Sequence, residues 1–127
     1  MKTKEHNPTG IYPATPDYIH ALEVQNPNRF LYVSGTMGLD ENGIAGKDLA
    51  EQLKLIWSNI EAILASAKMT VENIVRVTSY LRKAEYVEAN QNARVKALKG
   101  RAVPTTAIIV ETLVKDWLVE IEIIAAD

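Results

Sequence analysis

Two carboxylates near the C-terminus, Glu120 and Glu122, are set inside the aliphatic run Leu118–Ile124. Side chains two apart on a strand share a face. Both acids therefore point one way, while Val119, Ile121 and Ile123 point the other. Charges on so apolar a strand lie either on a wet sheet face or in a site. A carboxylate in a partly desolvated cleft can take a proton from water and pass it on, which is general acid–base chemistry. Few other groups compete for such a role. The absence of cysteine removes thiolate catalysis, disulfides and most structural zinc sites. The only histidines, His6 and His20, are too few for a histidine metal cluster, so neither a metal nor a cofactor is expected.

A chain of 127 residues forms one domain with room for a buried core. The net charge of −2 gives no electrostatic footing for nucleic acid, which usually needs a basic patch. No apolar run approaches the length of a membrane span. The N-terminal stretch MKTKEHNPTG is polar and lacks the apolar centre of a secretory signal. A cytoplasmic location is the default expectation, and the lack of cysteine fits a reducing compartment.

These carboxylates need elements to hold them. Residues 1–16 contain three of the five prolines and read as an extended, partly mobile arm. Tyr18–Val24 and Phe30–Ser34 read as two strands of a hairpin around the turn signal Asn26-Pro27-Asn28. A first helix starts at Asp48, with Glu51 three residues on as a capping box. Leu49, Leu53, Ile56, Trp57, Ile60, Ile63, Leu64 and Ala67 form its apolar face, and Lys68 falls in its last turn. Ile74–Leu81 is a β-branched strand whose Val75, Val77, Ser79 and Leu81 alternate with Arg76, Thr78 and Tyr80. Lys83–Lys99 reads as a second helix, with Tyr86, Ala89, Ala93 and Ala97 in line and Gly100 as its stop. Thr105–Val110, opened by Pro104, and Leu118–Ile124 complete the order β-β-α-β-α-β-β. The result is an α+β two-layer sandwich, with a mixed sheet carrying both helices on one face. Apolar residues on the second sheet face predict burial against further copies of the chain.

The segment LYVSGTMGLDENGIAGKDLAEQ, then Asn59, NIVRVTSYL, Tyr86 and Asn90, a Pro-led strand and VEIEIIAA together resemble the Rid family. These are the reactive intermediate deaminases, also called the YjgF or L-PSP family. The likeness runs from about Tyr18 to the end. It implies a chorismate-mutase-like fold and a homotrimer whose sheets line a central barrel, with ligand clefts between subunits. Archetypal members hydrolyse small imino or enamino acids to the keto acid and ammonia. Carried over by position, the resemblance makes Glu120 the catalytic carboxylate and places Tyr18, Ser34, Gly35 and Asn90 around the substrate. The archetypal Pro-Ala-Arg is replaced by Pro104-Thr105-Thr106. Thr106 therefore stands in the place of the arginine, or Thr105 does, because the connection between the last two strands is shortened.

That arginine grips the substrate carboxylate. A hydrogen bond to a charged group contributes about 1.5–3 kcal/mol, so its loss weakens an anionic substrate about tenfold to a hundredfold. The expected substrate is then less anionic, or the cleft binds a small molecule without turning it over. Arg94 and Arg101 are the cations nearest in sequence that could compensate. Glu122 is expected to be a pairing or trimer-surface charge, His20 a satisfied ring, Asn59 a polar anchor, and Trp57 and Trp117 packing residues. An RNA-cleaving activity, a label carried by part of this family, is disfavoured by the net charge and by the lack of a catalytic histidine pair.

Overall fold

The computed structural model describes all 127 residues. Its strands are β1 (Lys2–His6), β2 (Ala21–Gln25), β3 (Phe30–Met37), β4 (Ile74–Leu81), β5 (Thr105–Ile109) and β6 (Val119–Ala126). The helices are α1 (Leu49–Ser66) and α2 (Val87–Ala97), the latter preceded by a 3₁₀ turn over Ala84–Tyr86. The chain is the expected α+β sandwich with one strand added at its N-terminus.

That added strand corrects two expectations. Lys2–His6 is not a loose arm but pairs antiparallel with β2, His6 opposite Ala21 and Lys2 opposite Gln25. The predicted hairpin over residues 18–34 does not form, because β2 belongs to this two-stranded sheet while β3 belongs to a separate four-stranded one. The strand itself starts at Ala21 rather than Tyr18. Every residue of β1 is exposed, so its sequence carries no apolar alternation that would mark it as a strand.

The main sheet has the order β3-β6-β4-β5, antiparallel except for the β4–β5 pair. One face carries Val77, Leu81, Val119, Ile121 and Ile123, and packs with Ile56, Ile60 and Leu64 of α1 into a single buried cluster. Ile63, expected on the same stripe, is 37% exposed, since the stripe has rotated past the sheet by the last turn. Asp48 caps α1 through Oδ1, which accepts from the Glu51 N–H at 2.9 Å. The Glu51 carboxylate accepts from Lys47 rather than from Asp48, so the box is open on one side. Lys68 does not lie in the last turn. It follows the cap with φ +58°, and the Met69 N–H closes back on the Leu64 carbonyl at 2.9 Å. Lys99 ends α2 in the same way at φ +55°, with Gly100 donating to Val95, so the stop begins one residue before the glycine.

The second sheet face is not the oily surface expected. Tyr32, Ile108 and Ile124 share it with Arg76, Thr78, Tyr80, Thr106, Glu120 and Glu122, as the cross-strand registers require. It is open in the protomer, and Tyr32 is 72% exposed.

Candidate functional site

Glu120 lies on this open face, opposite Tyr80 of β4 and Met37 of β3. Beside it β3 carries a bulge. Val33 pairs with Ile123 and Thr36 with Ile121, so Ser34 and Gly35 together oppose the single residue Glu122. The Glu120 carboxyl group rests over Gly35, where an added Cβ would stand 2.9 Å from Cδ and overlap Oε2. Only glycine leaves that space free. A cleft of about 320 Å³ opens there, lined by Gly35, Tyr80, Glu111, Thr112, Glu120 and Glu122. Its outer wall is the loop between β5 and β6. Arg82 holds that loop by donating to the Thr112 carbonyl at 3.1 Å and to its Oγ1 at 2.8 Å.

The two acids are in different situations. Glu122 accepts a hydrogen bond from the Tyr80 hydroxyl, which identifies it as a pairing charge. That bond pushes the phenol above its ordinary value; burial and the charges of Glu122 and Glu120 add to the effect, and Arg76 opposes it. The Glu120 carboxylate makes no ion pair within the protomer. It remains free to work on a molecule brought to it.

Of the other residues singled out from the sequence, Ser34 adjoins this cleft, while Tyr18 and Asn90 fall elsewhere in the protomer. Ser34 is exposed next to Gly35, its carbonyl accepting from Thr36 Oγ1 at 3.0 Å. Tyr18 is bridged to Val103 and stacks edge-on against His20. The His20 Nε2 lies 2.8 Å from the Tyr12 carbonyl, so the ring is satisfied. Tyr18 lines a separate cleft beneath the N-terminal segment. Asn90 is on the buried side of α2 at 3% exposure, with its Oδ1 unpartnered. Asn59 donates to the Leu39 carbonyl at 3.0 Å, an anchor for the β3–α1 connection.

The register separates the two threonines. Thr105 pairs with buried Val77 and donates to the Val103 carbonyl at 2.9 Å. Thr106 pairs with Thr78 and so stands on the face of Glu120 and Glu122. Neither cation near in sequence reaches that face. Arg94 is held by Asp17, through its carbonyl at 2.7 Å and Oδ2 at 2.8 Å. Arg101 donates to the carbonyls of Val71 and Ile74, both at 2.8 Å. The guanidinium beside Thr106 belongs to Arg76, whose Nη2 donates to Thr106 Oγ1 at 2.8 Å. Sequence proximity to Pro104 missed Arg76, whereas the parallel β4–β5 pairing brings it there.

The family described as Endoribonuclease L-PSP matches residues 11–127. A RutC family protein of Pyrococcus abyssi is 36% identical over 111 residues, spanning 85% of this chain and 84% of that one. Among solved structures, the Rid family protein YyfB of Yersinia pestis, of unknown function, superposes with a TM-score of 0.84 at 24% identity over the whole of both chains. RidA of an Antarctic Psychrobacter superposes with a TM-score of 0.73 at 24% identity, over 90% of this chain and 97% of that one. At these identities the two structures establish the fold. No helix of the chain is long and apolar enough to cross a membrane.

Proposed function

Given that the chain belongs to the Rid family, the family of Endoribonuclease L-PSP, we propose that it is a small-molecule hydrolase of imines or enamines. Its catalytic carboxylate is Glu120, in clefts completed by neighbouring copies of a homotrimer. The observation that carries this reading is the Glu120 carboxylate itself, unpaired and resting over Gly35 at the mouth of a cleft.

Such a carboxylate takes a proton from water as the water oxygen bonds to the imine carbon. It passes that proton to nitrogen, giving a carbinolamine, then takes the proton of the new hydroxyl and delivers it to the same nitrogen as the C–N bond breaks, so imine and water leave as carbonyl compound and ammonia. Ser34, Gly35, Tyr18 and Asn90 line the substrate in this reading. Within one protomer Tyr18 and Asn90 lie away from Ser34, Gly35 and Glu120, which is why the reading needs partner copies. The exposed Tyr32 and Ile108 on the open sheet face support assembly through it, around a central barrel. With Thr106 in place of the family arginine, substrates carrying little negative charge are favoured, and the absence of cysteine fits a cytoplasmic setting.

The test is ammonia release from freshly generated imino acids and from neutral imines, by the parent and by Glu120→Gln. A rate on either class that disappears in the variant supports the reading. Equal rates in both proteins, or none in either, sink it. A monomeric mass by light scattering removes the trimeric cleft. The threonine favours a second reading, a trimer that binds a small molecule without turnover. Ligands that raise the melting temperature while no ammonia appears would establish it. An RNA-binding role is disfavoured by the net charge of −2.

A further inference from the structure

Gln52 stands at the start of α1, in the layer behind the sheet, and does not line the Glu120 cleft. At 2% exposure it is the one amide side chain buried on that helix. A polar group so placed is costly unless its donors and acceptor are used. Here they are. Its Nε2 donates to the Gly46 carbonyl at 3.0 Å and to the Asp116 carbonyl at 2.8 Å. Its Oε1 accepts from the Leu118 N–H at 2.9 Å.

Asp116 and Leu118 belong to the loop between β5 and β6, the outer wall of the Glu120 cleft. The hold passes along that loop to the lining itself. Trp117 lies between the two residues that Gln52 grips, and its carbonyl accepts from Thr112 Oγ1 at 2.6 Å. Thr112 lines the cleft and is held from the other side by Arg82. The Arg82 N–H in turn donates to the Leu118 carbonyl at 3.1 Å. Surface loops are ordinarily mobile. This one is pinned between a helix and a strand, by bonds that all lie inside one protomer. Glu120 is placed independently. It pairs with Met37 and Tyr80 through the sheet and rests over Gly35, and the Gln52 amide bonds to none of these.

We propose that Gln52 is a positioning residue: from behind the sheet it fixes the wall of the Glu120 cleft, and so sets the size of substrate admitted. The inference rests on the imine-hydrolase reading and extends it to substrate class. A wall that cannot yield favours imines and enamines with short side chains over those with long ones.

The test is Gln52→Met, which keeps the length of the side chain and removes its hydrogen bonds. Ile60→Ala is the control. Ile60 is fully buried on the same helix, so its truncation weakens the core by a different route. Ammonia release is measured from neutral imines of increasing side-chain length. In Gln52→Met the KM of the shortest should rise about fivefold or more while its kcat stays within about threefold of the parent's, the pattern of lost uniform binding. The preference for the shortest over the longest, as a ratio of kcat/KM, should fall about tenfold. Ile60→Ala should keep the parent's preference, whatever its melting temperature. Exchange of the Leu118 amide hydrogen, followed by NMR, should speed about tenfold more in Gln52→Met than in Ile60→Ala. Gln52→Glu keeps the acceptor for Leu118 and loses at least one donor to Gly46 or Asp116. It should shift the preference in the same direction, and it carries the test if Gln52→Met does not fold. The inference alone is overturned if the parent releases ammonia and the Gln52 variants keep its preference. It is likewise overturned if Ile60→Ala loses that preference to the same extent. A parent without turnover overturns the hydrolase reading itself, and the size limit falls with it.

Discussion

A carboxylate oxygen of Glu120 fills the space above Gly35 that any side chain at that position would occupy. The relationship is one-sided. Gly35 does not have a positive φ, so its backbone is open to other residues and only the carboxylate objects. Gly35→Ala should leave the fold within about 1 kcal/mol of the parent, since a flexible side-chain end can swing aside. Glu120-dependent turnover should fall about tenfold or more, because the acid is no longer held over the cleft. Gly38→Ala is the contrast. There an added Cβ would stand 2.5 Å from the Cα and carbonyl oxygen of Gln52, backbone that cannot move aside. Overpacking of that kind costs about 1–3 kcal/mol, read as a drop in denaturant midpoint. Equal effects of the two variants on stability would show that Gly35 is there for packing alone.

The pair formed by Arg94 and Asp17 fixes the segment leading into Tyr18. The side chains are 5% and 16% exposed. Removing one partner of a buried pair leaves an uncompensated charge, so Arg94→Ala should cost about 3 kcal/mol. Burial on its own would raise the Asp17 pKa. Hydrogen bonds from Thr15 and Arg94 outweigh it and hold the carboxyl below its usual 3.8. A carboxyl depressed in the folded state contributes stability that is present above its unfolded pKa and lost as pH falls through the folded one. The melting temperature of the parent should therefore drop on acidification below about pH 5. That of Asp17→Asn should start lower and fall less steeply over the same range. Parallel acid profiles for the two proteins would remove Asp17 as a source of the dependence.

Both helices end on a lysine in the left-handed region, Lys68 at φ +58° and Lys99 at φ +55°. A residue with a Cβ is strained there, and glycine is not. Both lysines are exposed, and neither makes a side-chain contact with the candidate site. Lys68→Gly and Lys99→Gly should each stabilise the protein by about 0.5–1 kcal/mol, and the two gains should add. Chemical denaturation of the single and double variants checks this. A loss of stability in either would show that the lysine side chain contributes more than its backbone conformation costs.

What the sequence discloses follows the range of the interactions involved. Helix α1 is legible because its cap, Asp48, and its stripe from Leu53 to Leu64 are local features repeated over several turns. Strands β4 and β6 are legible from alternation, and the shared face of Glu120 and Glu122 follows from it directly. Strand β1 is not legible, since it is exposed at every residue and exists only through its pairing with β2, some twenty residues away. Part of the site fails in the same way. Glu120 and Gly35 are joined by a family pattern of motif order. Arg76 meets Thr106 through the parallel pairing of strands that brings together residues thirty apart in sequence, which no local spacing encodes.

That last contact bears on the missing family arginine. Thr106 points to the face of Glu120, and Thr105 toward the helices, so Thr106→Arg is the substitution that restores a guanidinium beside the site. The structure adds a complication, because Arg76 already donates to Thr106 Oγ1 at 2.8 Å. A second guanidinium there would lose that bond and face a like charge across adjacent strands, which is destabilising. Thr106→Arg alone should therefore gain little on imino acids, and should lower the melting temperature. The exchange Thr106→Arg/Arg76→Thr keeps one cation and one hydroxyl but reverses their strands. It should retain the parent's stability to within about 1 kcal/mol, since the hydrogen bond can re-form in the opposite sense. Its rate on carboxylate-bearing imines should rise about tenfold or more relative to the parent. Ammonia release from charged and neutral imines, compared across the three proteins, reads both effects. A single substitution that outperforms the exchange would show that Arg76 does not compete for the position.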